Sequence, residues 1–369
     1  MLHGFEAAPR QGRRMQVHQI LTALSYGDAI GDDTLAIQRI LREAGYESDI
    51  FCQLYHPRMA NFVRKYEDYP KISSPEHVVV FHFSIGSPVS HMVPHLPDRK
   101  ILIYHNITPM HFFLDTNLVL ARLCHSGRKE LRAFADRVDL ALGDSEYNRR
   151  ELEELGFART GVLPIIMDFS KFDRPSPTPR RLHGDDGYTF LFVGRVIPNK
   201  KIEDVIRVFH LYQRHINPQC RVFIVGDHRG FERYYWSLKD FVHQLGVRKV
   251  VFSGHVTNEE IAAYYRMSDV FLCMSEHEGF CVPLIEAFHF DMPVIAFASS
   301  AVPYTLRDAG VLFDDKDFAA MAEMAELLRI DSGFREQVLQ GQREVLADYH
   351  PSNTGRMLID FIEQVKDRR

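Results

Sequence analysis

Short runs of β-branched and aromatic residues alternate along this chain with longer stretches whose apolar positions recur every three or four residues. That alternation is the pattern of a parallel α/β sheet covered by helices. In the first half the runs predict strands at 16–24, 48–52, 77–83, 100–105, 140–144 and 161–166, with helices at 33–44, 127–138 and 146–155. Near-continuous apolar runs such as Val78-Val79-Val80-Phe81 suit strands covered on both faces. A second series predicts strands at 189–194, 221–226, 249–254, 270–274, 293–298 and 311–313, with helices at 202–214, 235–245, 258–266 and 283–290. No internal sequence repeat is evident.

Between the two series, Pro175, Pro177, Pro179, Gly184 and Gly187 stop both helix and strand, so 173–187 reads as a linker. The expectation is therefore a first Rossmann-like domain over 1–172 and a second over 188–351. A last helix at about 352–369 crosses back onto the first domain. A length of 369 residues agrees with two cores rather than one. Ligands of doubly wound sheets bind at the carboxyl ends of the strands, which places a cleft between the domains.

Composition narrows the class. A net charge of −5, from 44 Lys plus Arg and 49 Asp plus Glu, excludes the strongly basic footprint of a nucleic-acid binder. The five cysteines show no CxxC spacing and lie in apolar runs, which reads as buried thiols in a reducing compartment. Residues 1–14 are polar, with no apolar stretch of signal-peptide length, and no run approaches the ~20 apolar residues of a membrane span. The expected location is cytoplasmic. The stretch 121–137 carries Arg122, Arg128, Lys129, Arg132 and Arg137 among leucines. It reads either as a solvated helix face or as a face resting on an anionic membrane at its inner side.

The densest chemistry is in Glu278-Gly279-Phe280-Cys281-Val282-Pro283-Leu284-Ile285-Glu286. Pro283 suits the first turn of a helix, where its missing N–H costs nothing. Gly279, Phe280, Cys281 and Val282 would then form a loop at a helix N-terminus, a site for phosphate or sugar oxygens. Glu278 and Glu286, two carboxylates beside an anion site, need neutral hydroxyls to hold, as a sugar and a ribose supply. The plain alternative is a charged loop before an ordinary amphipathic helix. In Gly194-Arg195-Val196-Ile197-Pro198-Asn199-Lys200, Arg195 and Lys200 flank a strand-to-helix turn. Two fixed cations there would stabilise a departing diphosphate; the alternative is a solvated basic turn. Gly27 and Gly31, in the turn after the first strand, let backbone approach a ligand closely. The turn lacks GxGxxG, which argues against a dinucleotide. His105 ends a buried strand at the expected cleft, with His82 on the preceding strand a weaker candidate. Ser145 reads as a helix cap.

Together, Arg195, Lys200, Val225-Gly226-Asp227, Val251–Val256, Tyr264–Val270 and Glu278–Glu286 resemble the retaining glycosyltransferases of family 4, which have the GT-B fold. The resemblance runs from about residue 190 to 315. It implies that Arg195 and Lys200 bind donor phosphates, Glu278 contacts the transferred sugar, Glu286 holds the ribose, and backbone near Val256 lies against the base. It places Gly27 and Gly31 at the pyrophosphate and acceptor, and His105 near the sugar. It further implies a metal-independent, front-face transfer without a protein nucleophile, from a nucleotide-diphosphate sugar to a saccharide or lipid-linked saccharide, with no other cofactor. Residues 104–109 resemble mannosyltransferases of bacterial surface-polysaccharide assembly, lipopolysaccharide included, which implies GDP-mannose as donor. Three positions depart from the family: Cys281 and Asp291 stand where Gly is usual, and Tyr304 where Glu is common. A sugar phosphorylase or nucleotide-sugar epimerase of the same fold, or a non-catalytic nucleotide-sugar binder, remain the alternatives.

Overall fold

The apolar runs fold into strands that feed two layers at once. In this computed structural model, which describes residues 15–25, 27–173 and 187–367, the first domain runs β1 (Val17–Leu24), α1 (Ala29–Glu43), β2 (Ile50–Tyr55), β3 (Val63–Lys65), β4 (Val78–Phe83), α2 (Pro88–Met92), β5 (Arg99–Tyr104), α3 (Leu118–Arg132), β6 (Leu140–Gly143), α4 (Glu146–Glu154) and β7 (Thr160–Val162). The strands form one sheet in the order β3-β2-β1-β4-β5-β6-β7, every pair parallel. Alternate residues point to opposite faces. Val78, Val80, Ile101 and Ile103 pack with Ile37 and Leu41 of α1 on one side, while Val79, Phe81, Leu102 and Tyr104 join the core on the other.

The second domain repeats the plan: β8 (Tyr188–Val193), α5 (Ile202–His215), β9 (Cys220–Val225), α6 (Glu232–Leu245), β10 (Val250–Gly254), α7 (Asn258–Arg266), β11 (Val270–Cys273), α8 (Val282–His289), β12 (Val294–Phe297), α9 (Val302–Leu306), β13 (Val311–Phe313), α10 (Phe318–Ile330) and α11 (Ser332–Asp348). Its six parallel strands lie in the order β10-β9-β8-β11-β12-β13. The final helix, α12 (Pro351–Lys366), returns to the first domain and buries Leu358, Ile362 and Val365 against the α1 side of its sheet.

Several boundaries move for local reasons. Helix α1 begins at Ala29 rather than 33, because the Asp28 carboxylate accepts from Gly31 N at 2.6 Å and caps it there. Helix α3 begins at Leu118 rather than 127, capped by Asn117, and ends at Arg132 rather than 138. The strand expected at 161–166 shrinks to β7, since Pro164 brings no N–H to the ladder. Helices α10 and α11 were not among the expected elements; Asp331 joins them and caps the second by accepting from Phe334 N at 2.9 Å. Residues 174–186 of the expected linker lie outside the described residues. Among the described residues, no helix is long and apolar enough to cross a membrane.

Candidate active site

The carboxyl ends of β1, β5 and β6 face those of β8, β9, β10 and β11 across a cleft of about 460 Å³. Gly27, His105, Arg195, Lys200, Val256, Glu278, Glu286 and the loop from Gly279 to Val282 all line it. Gly31 does not. It sits beneath the first turn of α1, where a Cβ would meet Ser25 O at 2.4 Å. Its need for glycine is therefore a packing need, while Gly27, Asp28, Ala29, Ile30 and Asp32 around it face the cleft.

Lys200 and Glu278 are set by one another. The Lys200 ammonium lies 2.6 Å from both oxygens of Glu278. Burial by itself pulls the ammonium down, yet the Glu278 carboxylate holds it above the ordinary lysine value, so it is charged. Neighbouring backbone locks the pair: Asn199 Nδ2 donates to His277 O at 3.0 Å and Glu276 N to Asn199 O at 2.8 Å. Glu278 N donates to Ser300 Oγ at 2.7 Å. Arg195 extends from the end of β8 over the Phe231 ring, 5.5 Å from its centroid. Among the described residues no carboxylate pairs with it, and partial burial holds its pKa below the ordinary value. A charged guanidinium lacking a carboxylate partner, lining the same cleft as Lys200, is poised for an anion.

The loop supplies further donors. Cys281 caps α8 in the left-handed region, φ 74°, which explains why the resembling family places Gly there; Asp291, φ 50°, repeats the relationship. The amides of Gly279, Phe280, Cys281 and Val282 donate to no protein acceptor among the described residues, so they are the orphan donors of a helix N-terminus facing the cleft. The Phe280 ring itself is buried, edge-on to Tyr349 at 5.4 Å. Gly279 is pressed against the first domain: a Cβ would lie 2.7 Å from His105 O and 2.9 Å from Asn106 Cβ. Ser145 does double duty there, capping α4 and donating from Oγ to Gly279 O at 2.8 Å. Tyr304 also meets the first domain, accepting from Arg150 at 3.1 Å.

Glu286, one turn into α8, has two protein partners. Tyr265 OH donates to its Oε2 at 3.1 Å, and Lys171 Nζ lies 3.0 Å from its Oε1. Lys171 also reaches Asp32 in the first turn of α1 at 3.2 Å. Burial lowers this lysine, but Glu286 and Asp32 together raise it well above the ordinary value. Sequence reasoning missed Lys171; it stands between Phe169 and Phe172 with no motif around it, and only the fold brings it between two carboxylates.

His105 belongs to a buried relay. Its Nδ1 lies 2.9 Å from Asp144 Oδ2, its Nε2 2.9 Å from His82 Nδ1, and His82 Nε2 2.9 Å from Gln19 Oε1. Gln19 Nε2 donates to Thr34 O at 3.1 Å, which fixes the amide. Proton placement follows from these acceptors. His82 must donate from Nε2 and accept at Nδ1, so it is neutral, and burial does hold its pKa far down. His105 then donates from Nε2, and one further proton lies between its Nδ1 and Asp144. Burial opposes the charge on His105, but Asp144 prevails and raises its pKa. Both ring nitrogens are engaged, so the ring has no spare N–H for the sugar that the resemblance puts beside it. Asp144 Oδ1, buried at the cleft wall, has no partner and is the open acceptor of the group. His277, also lining the cleft, is pushed down to about 4 by burial and is neutral near pH 7.

Residues 176–345 match the family described as "Glycosyl transferases group 1". That stretch is therefore similar to the group 1 glycosyl transferases over somewhat less than half of the chain. O-antigen chain mannosyltransferase B of Escherichia coli is 24% identical over 76% of this chain and 71% of its own. A GDP-mannose-dependent alpha-(1-6)-phosphatidylinositol monomannoside mannosyltransferase of Mycobacterium tuberculosis is 26% identical over 64% of each chain. The chain spans from 40% to 71% of the length of the curated relatives it matches. Its backbone aligns with a sucrose-phosphate synthase of Thermosynechococcus elongatus over 95% of this chain and 99% of the other, with a TM-score of 0.73 at 16% identity. The two-sheet arrangement is thus the GT-B fold, two Rossmann-like domains facing a cleft.

Proposed function

We propose that this protein transfers a hexose from a nucleotide-diphosphate sugar to an acceptor hydroxyl with retention, without a metal, and that mannose from GDP-mannose is the donor. The observation that carries the reading is the convergence of Lys200, Arg195 and the free amides of residues 279–282 on one cleft wall, with Glu278 and Glu286 beside them. As the glycosidic bond breaks, the β-phosphate gains negative charge. Fixed cations and amide dipoles stabilise that charge more than they stabilise the bound donor, which is what lowers a barrier. The acceptor hydroxyl attacks from the face the diphosphate leaves, its proton passing to the departing phosphate oxygen.

In this scheme Glu278 holds hydroxyls of the sugar and keeps Lys200 in place. Glu286 holds the ribose, backbone near Val256 lies against the base, and Asp144 Oδ1 accepts from a hydroxyl at the first-domain wall. The two mannosyltransferase relatives support the donor sugar. They also favour a saccharide or lipid-linked acceptor in surface polysaccharide or glycoconjugate assembly, with α3 resting on the inner face of a membrane. Exposed Leu118, Val119 and Leu123 on that helix, beside Arg122, suit such a surface.

A thermal-shift screen of nucleotide-diphosphate sugars tests the donor, since the preferred one stabilises the fold by mass action. Analysis of the product anomer then tests the reaction. Formation of free sugar phosphate, or of an isomerised donor, would overturn transfer.

A further inference from the structure

Two side-chain clusters bring together atoms able to ligate a metal: Asp33, His82 and His105, and Cys273, Glu278 and Cys281. The first is spent. His82 and His105 use their facing nitrogens on each other at 2.9 Å, so neither has a lone pair to give without breaking the relay. The second is different, because its two sulfurs belong to free thiols.

Cys273 is the last residue of β11 and Cys281 caps α8, so the intervening loop folds back and sets one thiol against the other. Both thiols are buried, and with a carboxylate oxygen of Glu278 their ligand atoms all lie within 4.8 Å of one another. Around tetrahedral zinc, with Zn–S about 2.3 Å and Zn–O about 2.0–2.2 Å, neighbouring ligand atoms stand roughly 3.5–3.8 Å apart. Small side-chain rotations close that gap. Two sulfurs and one oxygen select a borderline-soft ion over magnesium or calcium. Cys281 and Glu278 line the cleft, which gives an entry path and a fourth position open to water or an anion.

We propose that Cys273, Cys281 and Glu278 form a capture site for a thiophilic divalent cation, zinc, and that loading it switches off the donor cleft. The site is exclusive with the Lys200–Glu278 pair. Zinc on Glu278 places two positive charges beside the ammonium now 2.6 Å from that carboxylate. Lys200 must then leave Glu278, and the arrangement that receives a diphosphate is lost. Each thiol gives up its proton on ligation, so uptake releases protons and tightens as pH rises.

Zinc capture is testable without any transfer assay, so its failure is separable from failure of the proposed reaction. Cd²⁺ titrated into the reduced, metal-stripped full chain should raise a thiolate-to-cadmium ultraviolet absorption that saturates at one equivalent. Zn²⁺ should compete with a chromophoric chelator at the same stoichiometry. Cys273→Ala and Cys281→Ala should each weaken capture by more than the roughly 10–100-fold that loss of an outer-shell partner costs. Cys52→Ala and Cys220→Ala should leave it unchanged. Cys273→Ser, which keeps the size but not the soft ligand, replaces the alanine variant if that one melts early. In the wild type, one equivalent of Zn²⁺ should erase the thermal shift given by the nucleotide sugar, and a chelator should restore it. No saturating absorption in the wild type, or the same absorption in both Cys273 and Cys281 variants, overturns the proposal.

Discussion

Lys171 lies 3.0 Å from Glu286 and 3.2 Å from Asp32, so a single ammonium ties the carboxylate proposed for the ribose to the first turn of α1 in the other domain. Lys171→Met leaves the buried Glu286 and the half-buried Asp32 without their shared cation. Loss of one partner of such a pair costs about 3–5 kcal/mol. The expected outcome is a lower melting temperature and a raised KM for the donor, with kcat less affected. A kcat defect at unchanged KM would remove Lys171 from ribose positioning.

Glu278→Ala and Lys200→Ala should each reduce kcat by about 10²–10³, the scale seen when one fixed electrostatic group is removed from a transition state. Circular dichroism checks that the fold survives. Near-normal turnover by either variant would take that residue out of the mechanism.

Gly279→Ala probes the contact between the domains. Its new Cβ would collide with His105 O and Asn106 Cβ, backbone and buried side chain on the opposite wall, and neither can turn away. The domains should be held apart. A larger radius of gyration in solution scattering, together with lost activity, is expected; an unchanged radius would show that the loop relaxes instead.

Acid–base behaviour should centre on Asp33. Burial raises its carboxyl from 3.8 to about 7, with His105 pulling the other way. The folded chain therefore keeps a proton there that the unfolded chain has lost, and this contribution is full below pH 3.8 and is lost as pH rises through about 7. The raised His105 acts in the same direction and the lowered His82 in the opposite one; Asp33→Asn removes the carboxyl and with it part of the negative charge that raises His105, and both changes flatten the fall. Asp33→Asn retains an acceptor for Ile166 N, now bonded at 2.8 Å, without a group that ionises. Denaturant melts from pH 4 to 8 should show a shallower fall in stability for Asp33→Asn, and greater stability than the wild type above pH 7.

Chelation offers a fifth check. If Arg195, Lys200 and the α8 amides carry the diphosphate charge, excess EDTA does not slow transfer by the metal-stripped chain, and a loss of rate restored by Mg²⁺ would contradict the scheme.

Much of this architecture was legible because parallel strands buried on both faces announce themselves. Val78–Phe83 and Tyr188–Val193 are apolar runs broken only by His82 and Thr189, and the structure places them within a residue or two of expectation. Elements without such a signature were missed or displaced. β3 is three residues long, and α3 starts among Leu118, Val119 and Leu123, exposed apolar residues that blur the amphipathic stripe. In the site, charged residues grouped in sequence, such as Glu278 and Glu286 or Arg195 and Lys200, could be read directly. The partners that set their state could not. Lys171 meets Glu286 from 115 positions away, and the relay joins Gln19 of β1 and His82 of β4 to His105 and Asp144, the residues just past β5 and β6.

The return of α12 makes the first domain discontinuous along the gene. A fragment stopped at residue 345, where the family match ends, would keep the whole second sheet yet strip Leu358, Ile362 and Val365 from the first. At about 1.5–3 kcal/mol for each such side chain, that loss rivals the net stability of an ordinary domain. Anyone expressing the first domain alone must splice the tail back on, and a bulky C-terminal fusion burdens the opposite end of the molecule from the one its position in the chain suggests.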